Sequence, residues 1–329
     1  MLLNICYSTL AVMLSVPIAS QASAVSDCQN SQTAAARTSQ APAGGEPAAT
    51  SGVSLDDQYV LGPDSQLQAG IPEGKVVGFA AMDSKAFPGF AHEWWLYIPA
   101  QYDGKDALAV MVFLDGRALI ARDGYWRVPI VLNNLIARKA LPLMAAIFVD
   151  PGTTAPLRAV DGSPLLARDN RSVEYDTLSS AYATFVADEI LPQVRQYVRI
   201  TDDPAGHGIG GHSSGGVGAF TVAWQRPDQF SKVLSFSGSF TNIRGGHVYP
   251  DLVREADRKP LRVFQQVGAH DMVVPQWGVW LDANEAMAAA LGDKGYDHKF
   301  VLGEGTHSPK HAAAVFPEAM RWLWRDYPR

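Results

Sequence analysis

Two adjacent serines, Ser213 and Ser214, sit inside the glycine-rich stretch IGGHSSGGVGAF, residues 209–220. Only Ser213 has glycine two positions away on both sides, as the pattern G-x-S-x-G requires; for Ser214 the earlier position is His212. Small flanking residues let a chain turn sharply from a strand into a helix and present the central hydroxyl at the turn. A serine hydroxyl is a weak nucleophile without a base, and the base in turn needs an orienting acid. Asp271, closing LRVFQQVGAHD, and His307, in HKFVLGEGTHSP, follow Ser213 in the order serine, acid, histidine, each after its own apolar run. That set predicts acyl-transfer chemistry. His307 would take the Ser213 proton and return it to the leaving group, while Asp271 would hold the imidazole tautomer. His270, His298 and His311 compete for the base, and Asp293 and Glu304 are less well placed for the acid. The Ser214 N–H would face a developing oxyanion, with a second backbone donor from Gly116 or Arg117 in FLDGRAL.

Such residues must stand at the ends of buried strands. From Val76 onward short apolar runs alternate with helical patterns, which predicts an α/β fold with a mostly parallel central sheet and helices on both faces, in a single domain. KVVGFAAM and HEWWLYIP read as an opening antiparallel pair. ALAVMVFLDG and LMAAIFVDPG are continuous apolar runs ending in turn residues, as fully buried strands do. AGHGIGGH, before the serine, is a poor strand by propensity that needs burial between neighbours. KVLSFSG, LRVFQQVG and HKFVLGEG supply three more strands. VPIVLNNLIARK and PEAMRWLW have helical spacing, and in TLSSAYATFVADEILPQVRQYV the residues Leu178, Tyr182, Phe185, Val186, Ile190, Val194 and Tyr197 form one apolar stripe that Pro192 should kink.

With 27 basic and 33 acidic residues the chain carries a formal charge of -6, and no basic block tracks a phosphate backbone, so nucleic acid is not an expected partner. Residues 1–24 join an apolar segment to Ala22-Ser23-Ala24, which fits a signal peptide cleaved after Ala24, with export to the periplasm or medium and no stable membrane insertion afterwards. Cys6 would leave with that leader, so Cys28 has no disulfide partner in the mature chain. Residues 25–55, built of Ala, Ser, Thr, Gln, Gly and Pro, read as a flexible tether. Residues 56–329 hold the folded domain.

The run GGHSSGGVGAFTVAWQRPDQFSKVLSFSGSF, with VMVFLDG, RSVEYDTLSSAY, FTNIRGGHVYP and GEGTHSPKHAAAVFPEAMRWLW, resembles the esterase family that includes enterochelin esterases, feruloyl and acetyl-xylan esterases and mycolyltransferases, over about residues 107–324. The enterochelin-esterase-like branch fits best. The resemblance implies an α/β-hydrolase fold, Ser213 as nucleophile, His307 as base and Asp271 as acid, with no metal and no cofactor. It also places Arg171 and Glu174 of NRSVEYD near a substrate pocket, where a guanidinium could bind catecholate, carboxylate or sugar oxygens. Arg244 and His247 are further candidates for the same mouth, and Trp277 and Trp280, following Asp271, are stacking candidates ahead of Trp94, Trp95 and Trp126, which read first as core. The expected function is hydrolysis of a small-molecule or saccharide ester, a siderophore trilactone or a related ester. Feruloyl or acetyl carbohydrate esters, acyl transfer to a second hydroxyl compound and non-catalytic periplasmic ligand binding are the alternatives.

Overall fold

The computed structural model describes residues 54–154 and 169–328. Ten strands occur among them: β1 (Lys75–Asp83), β2 (Ala91–Ile98), β3 (Ala109–Leu114), β4 (Met144–Val149), β5 (His207–His212), β6 (Lys232–Phe236), β7 (Arg262–Gly268), β8 (Val273–Val274), β9 (Gly278–Val279) and β10 (Asp297–Gly303). Eight form one sheet in the order β1-β2-β4-β3-β5-β6-β7-β10, in which β2 runs antiparallel to both its neighbours, β1 and β4, and every other neighbouring pair is parallel. β8 and β9 make a separate small hairpin.

Why β3 and β4 read as continuous apolar runs follows from what covers them. Val110, Val112 and Leu114 of β3, with Ala145, Ile147 and Val149 of β4, point into one core. Ala109, Met111 and Phe113, with Met144, Ala146 and Phe148, point into the other. Both faces of these strands therefore exclude water, and alternation disappears from the sequence. The first core is closed by α4 (Ala181–Thr184), α6 (Ser214–Gln225), α7 (Tyr249–Glu255) and α8 (Trp280–Asp293); the second by α2 (Val128–Ala137) and α9 (Pro309–Leu323), with the short α1 (Gly116–Ile120) between β3 and α2. α3 (Arg171–Asp176) leads into α4. The glycine-rich β5 holds because β3 and β6 pair with it on either side.

The stripe around Pro192 is resolved differently from a simple kink. α4 passes into a π-helical turn, Phe185–Ile190, before α5 (Leu191–Val194). Pro192 has no N–H to offer the preceding turn, and a widened turn absorbs the mismatch. Tyr182, Phe185, Val186, Ile190 and Val194 are buried as the stripe predicts, but Tyr197 is half exposed and packs its ring on Phe79 at 4.6 Å. The leader, residues 1–24, and most of the tether lie outside the described residues. The tether ends earlier than its composition suggests: Ser54 caps a short 3-10 helix, Leu55–Gln58, that belongs to the folded unit. Among the described residues no helix is long and apolar enough to cross a membrane.

Candidate active site

β5 ends at His212 and α6 begins at Ser214, so the reversal falls on Ser213 alone. Ser213 takes φ 60° and ψ −123°, a conformation that strains a residue with a side chain and persists where its surroundings enforce it. Two bonds to the next strand's exit do so: Ser213 N–H donates to Phe236 O at 2.9 Å, and Ser239 N–H donates to Ser213 O at 3.1 Å. Gly211 is required by close approach, since a Cβ there would lie 2.6 Å from the Gly215 carbonyl. The N–H groups of Ser214 and Gly215, the first two of α6, have no acceptor within the helix, whereas the Gly216 N–H donates to Ser213 O at 2.9 Å.

The three residues singled out by spacing meet at this turn. Ser213 Oγ lies 2.9 Å from His307 Nε2, and His307 Nδ1 lies 2.5 Å from Asp271 Oδ1. With Nδ1–H donating to the carboxylate, Nε2 carries a lone pair that can accept a hydrogen bond from the Ser213 hydroxyl. The Met272 N–H also donates to Asp271 Oδ1, at 2.6 Å. The Asp271 side chain is fully buried, which pushes its pKa up, but the His307 hydrogen bond and charge together with the Met272 N–H outweigh burial and hold it below the ordinary carboxylate value. The competing residues are engaged elsewhere. His270 pairs with Glu304 at 3.6 Å, His311 Nδ1 meets the Gln266 amide at 2.8 Å, His298 lies within β10, and Asp293 pairs with Arg254.

Residues with no assigned role in the sequence line the same centre. The His212 ring stands 4.9 Å from the His307 ring, and burial, reinforced by the neighbouring His307, pushes its pKa down to about 3. It is a neutral imidazole at ordinary pH, and its buried Nε2 has no partner. Ser239 places its Oγ 3.5 Å from Ser213 Oγ and accepts from Trp280 Nε1–H at 3.3 Å. His212 was hidden inside the motif; the alternating serines of SFSGS were the visible signal for Ser239. An apolar cavity of about 210 Å³ lies at the ends of β3, β5 and β6, lined by Phe113, Leu119, Trp126, His212, Phe236 and Pro309, with His212 the residue before Ser213 in the chain.

Other expected residues take different positions. Gly116 is the first residue of α1, so its N–H has no intrahelical acceptor. The Arg117 N–H instead donates to Asp150 Oδ1 at 2.9 Å, and its guanidinium pairs with Glu93 and Asp150, which removes it as an oxyanion donor. Arg171 is committed to Asp115 through two 2.7 Å bonds and reaches His212 O at 3.4 Å, bracing the β3–α1 loop against the turn. Glu174 is buried, not at a mouth: it accepts from Gly152 N–H at 3.2 Å and Asn170 Nδ2 at 3.1 Å, and faces His92 Nε2 at 3.1 Å. Trp280 is 1% exposed, its ring edge-on to His307 at 5.8 Å, so it packs against His307 rather than standing open to a substrate. Trp277 is exposed at the hairpin tip. Trp94 stacks on Phe79 within the core, Trp95 lies under Arg117, and Arg244 and His247 are exposed, with Arg244 Nε donating to Ser172 Oγ at 3.3 Å.

A mostly parallel sheet with a serine at a strained strand-to-helix turn defines an α/β-hydrolase. Within that class, the chain belongs to the family described as "Putative esterase", whose model matches residues 92–323, and it is a carboxylic ester hydrolase. It is 28% identical over 245 residues to the iron(III) enterobactin esterase of Dickeya dadantii, covering 70% of this chain and 51% of that one, so it spans about half of that relative. The protein YbbA of Bacillus subtilis is 21% identical over 238 residues, covering 70% and 91%. Solved structures share the fold. A ferulic acid esterase aligns with TM-score 0.59 and 20% identity over 77% of this chain and 99% of its own, and the Shigella flexneri enterobactin esterase with enterobactin aligns with TM-score 0.60 and 19% identity over 77% and 60%.

Proposed function

We propose that the protein is an exported serine esterase in which Ser213 is the nucleophile, His307 the general base and acid, and Asp271 the group that orients His307. The observation that carries this reading is the continuous contact from Asp271 through His307 to Ser213 at a strained turn. His307 Nε2 takes the proton as Ser213 Oγ attacks the ester carbonyl carbon. The Ser214 and Gly116 N–H groups receive the resulting oxyanion. Collapse breaks the bond to the alcohol oxygen, which leaves with the proton from His307. Water then repeats the sequence on the acyl-enzyme, releasing the acid and restoring Ser213.

The substrate we assign is an aryl-acylated ester of the enterobactin trilactone type or a related aromatic ester. The relationship to an iron(III) enterobactin esterase supports the trilactone, and the apolar cavity walled by His212, the residue before Ser213, suits a flat acyl group. Spanning nearly all of a ferulic acid esterase supports the carbohydrate-linked aromatic ester as the second reading. Export rests on the leader expected over residues 1–24.

The test is turnover of p-nitrophenyl acetate by the mature protein beside Ser213→Ala. Loss of at least about a thousandfold in kcat with the fold retained is expected; equal rates would remove Ser213 from the mechanism. Competition between an enterobactin-type trilactone and methyl ferulate, compared by kcat/KM, decides the substrate, and N-terminal sequencing of exported protein checks cleavage after Ala24.

A further inference from the structure

The loop that carries His307 runs from the end of β10 to the start of α9, and its outer side is covered by the N-terminal strap, Ser54–Tyr59. Ser54 and Asp57 cap each other's backbone and fix the strap's single helical turn. That turn buries Asp56, which is only 4% exposed. Both of its oxygens are used on one residue: Thr306 N–H donates to Oδ1 at 2.9 Å, and the Thr306 hydroxyl donates to Oδ2 at 2.6 Å. The Thr306 hydroxyl in turn accepts from the Ser308 N–H at 3.2 Å. His307 is thus the middle residue of a turn whose two flanks are pinned, and the pin ends on the Asp56 carboxylate. Tyr59 adds a second hold by stacking on His311 at 4.2 Å. The loop is shaped to receive the strap: a Cβ on Gly305 would meet Asp56 Oδ1 at 2.9 Å and Tyr59 at 3.0 Å. The family match begins at residue 92, so the strap lies outside it.

We propose that Asp56 is a positioning residue for His307, holding the Thr306–Ser308 turn so that the imidazole sits between Asp271 and Ser213. The inference rests on the reading of His307 as the base. An anchor that merely fastened the N-terminal segment would be expected on flexible or remote backbone. Here both bonds fall on the residue next to His307, where a displacement of the turn moves Nε2 directly against Ser213 Oγ. Misplacement of a catalytic group by about 1 Å can cost on the order of 100-fold in rate.

The test compares Asp56→Ala, Thr306→Val and Thr306→Ser in the full chain, with Ser213→Ala and His307→Ala alongside, using p-nitrophenyl acetate. Asp56→Ala and Thr306→Val should each lower kcat by roughly 10- to 100-fold with KM little changed. Thr306→Ser, which restores the hydroxyl, should recover most of what Thr306→Val loses. The far-downfield proton resonance of the His307–Asp271 hydrogen bond should move or broaden in Asp56→Ala. A wild-type kcat in Asp56→Ala, or a fall matched by the unfolded fraction in a thermal melt, would overturn the proposal. Should Asp56→Ala not fold, Thr306→Val, which keeps the buried carboxylate and its N–H bond, decides alone. Turnover surviving in Ser213→Ala and His307→Ala would instead defeat the esterase mechanism; turnover lost there but kept in the strap variants defeats only the role of Asp56.

Discussion

The two ends of β5 each carry a histidine, and they are treated in opposite ways. At the start of the strand, His207 has both ring nitrogens 2.9 Å from backbone carbonyls, those of Gln229 and Thr201. At its end, His212 keeps a buried Nε2 with no partner beside the His307 ring. The backbone follows the same division. Asp115, Ser213 and Ser237, where β3, β5 and β6 give out, all have positive φ. Near the strand starts, Lys232 lies over the Trp324 and Tyr327 rings with its ammonium on the Ala205 carbonyl, and Arg262 pairs with Asp297 and Asp326. One end of the sheet is settled and contributes stability; the other holds strain and unspent hydrogen-bonding capacity where acyl chemistry would occur.

Substitutions at the two ends should therefore separate rate from stability. The largest effect is expected from Asp271→Asn, which keeps the shape but offers His307 the wrong tautomer partner: kcat should fall by about 10⁴, read by ester turnover. A fall of only a few-fold would mean that another group orients His307. At the opposite end, His207→Ala should leave kcat intact while costing about 1–3 kcal/mol of stability, measured by denaturant unfolding, because the carbonyl that accepts the ring N–H loses its donor and the buried ring leaves a void. An effect that is small near neutral pH and grows as pH falls is expected at His212. Its folded pKa of about 3 lies below the ordinary value of 6.5, so between those pH values the unfolded chain binds a proton that the folded chain refuses. Stability should accordingly fall as pH drops through that window, by up to about 1.4 kcal/mol per unit from this group. His212→Asn should flatten that share of the slope. His207, also pushed down by burial, contributes in the same direction and would remain.

Much of this division was legible in the residues themselves. The strands were readable because both faces of β3 and β4 are covered, leaving unbroken apolar runs, and Ser213 was readable because a sharp turn excludes large neighbours. Contacts that depend on distant segments were not. Arg117 and Glu174 look like available polar groups in their own loops, and only the approach of Asp150 to one and of His92, Gly152 and Asn170 to the other commits them. Trp280 follows Asp271 in sequence as a pocket residue would, yet α8 turns it inward behind His307. The π-helical turn before Pro192 was invisible because a stripe spaced for an α-helix still buries most of the same side chains. Asp56 gave no signal at all, standing where a low-complexity tether gives way to structure.

The bond between Asp56 and Thr306 joins residues 250 positions apart. Closing so long a loop demands chain entropy that only an assembled sheet can offset. Loop-closure entropy therefore predicts that this contact forms late in folding, after β7 and β10 have paired. On that order a chain would complete its sheet, its helices and its serine turn before the closure that holds the His307 turn in place.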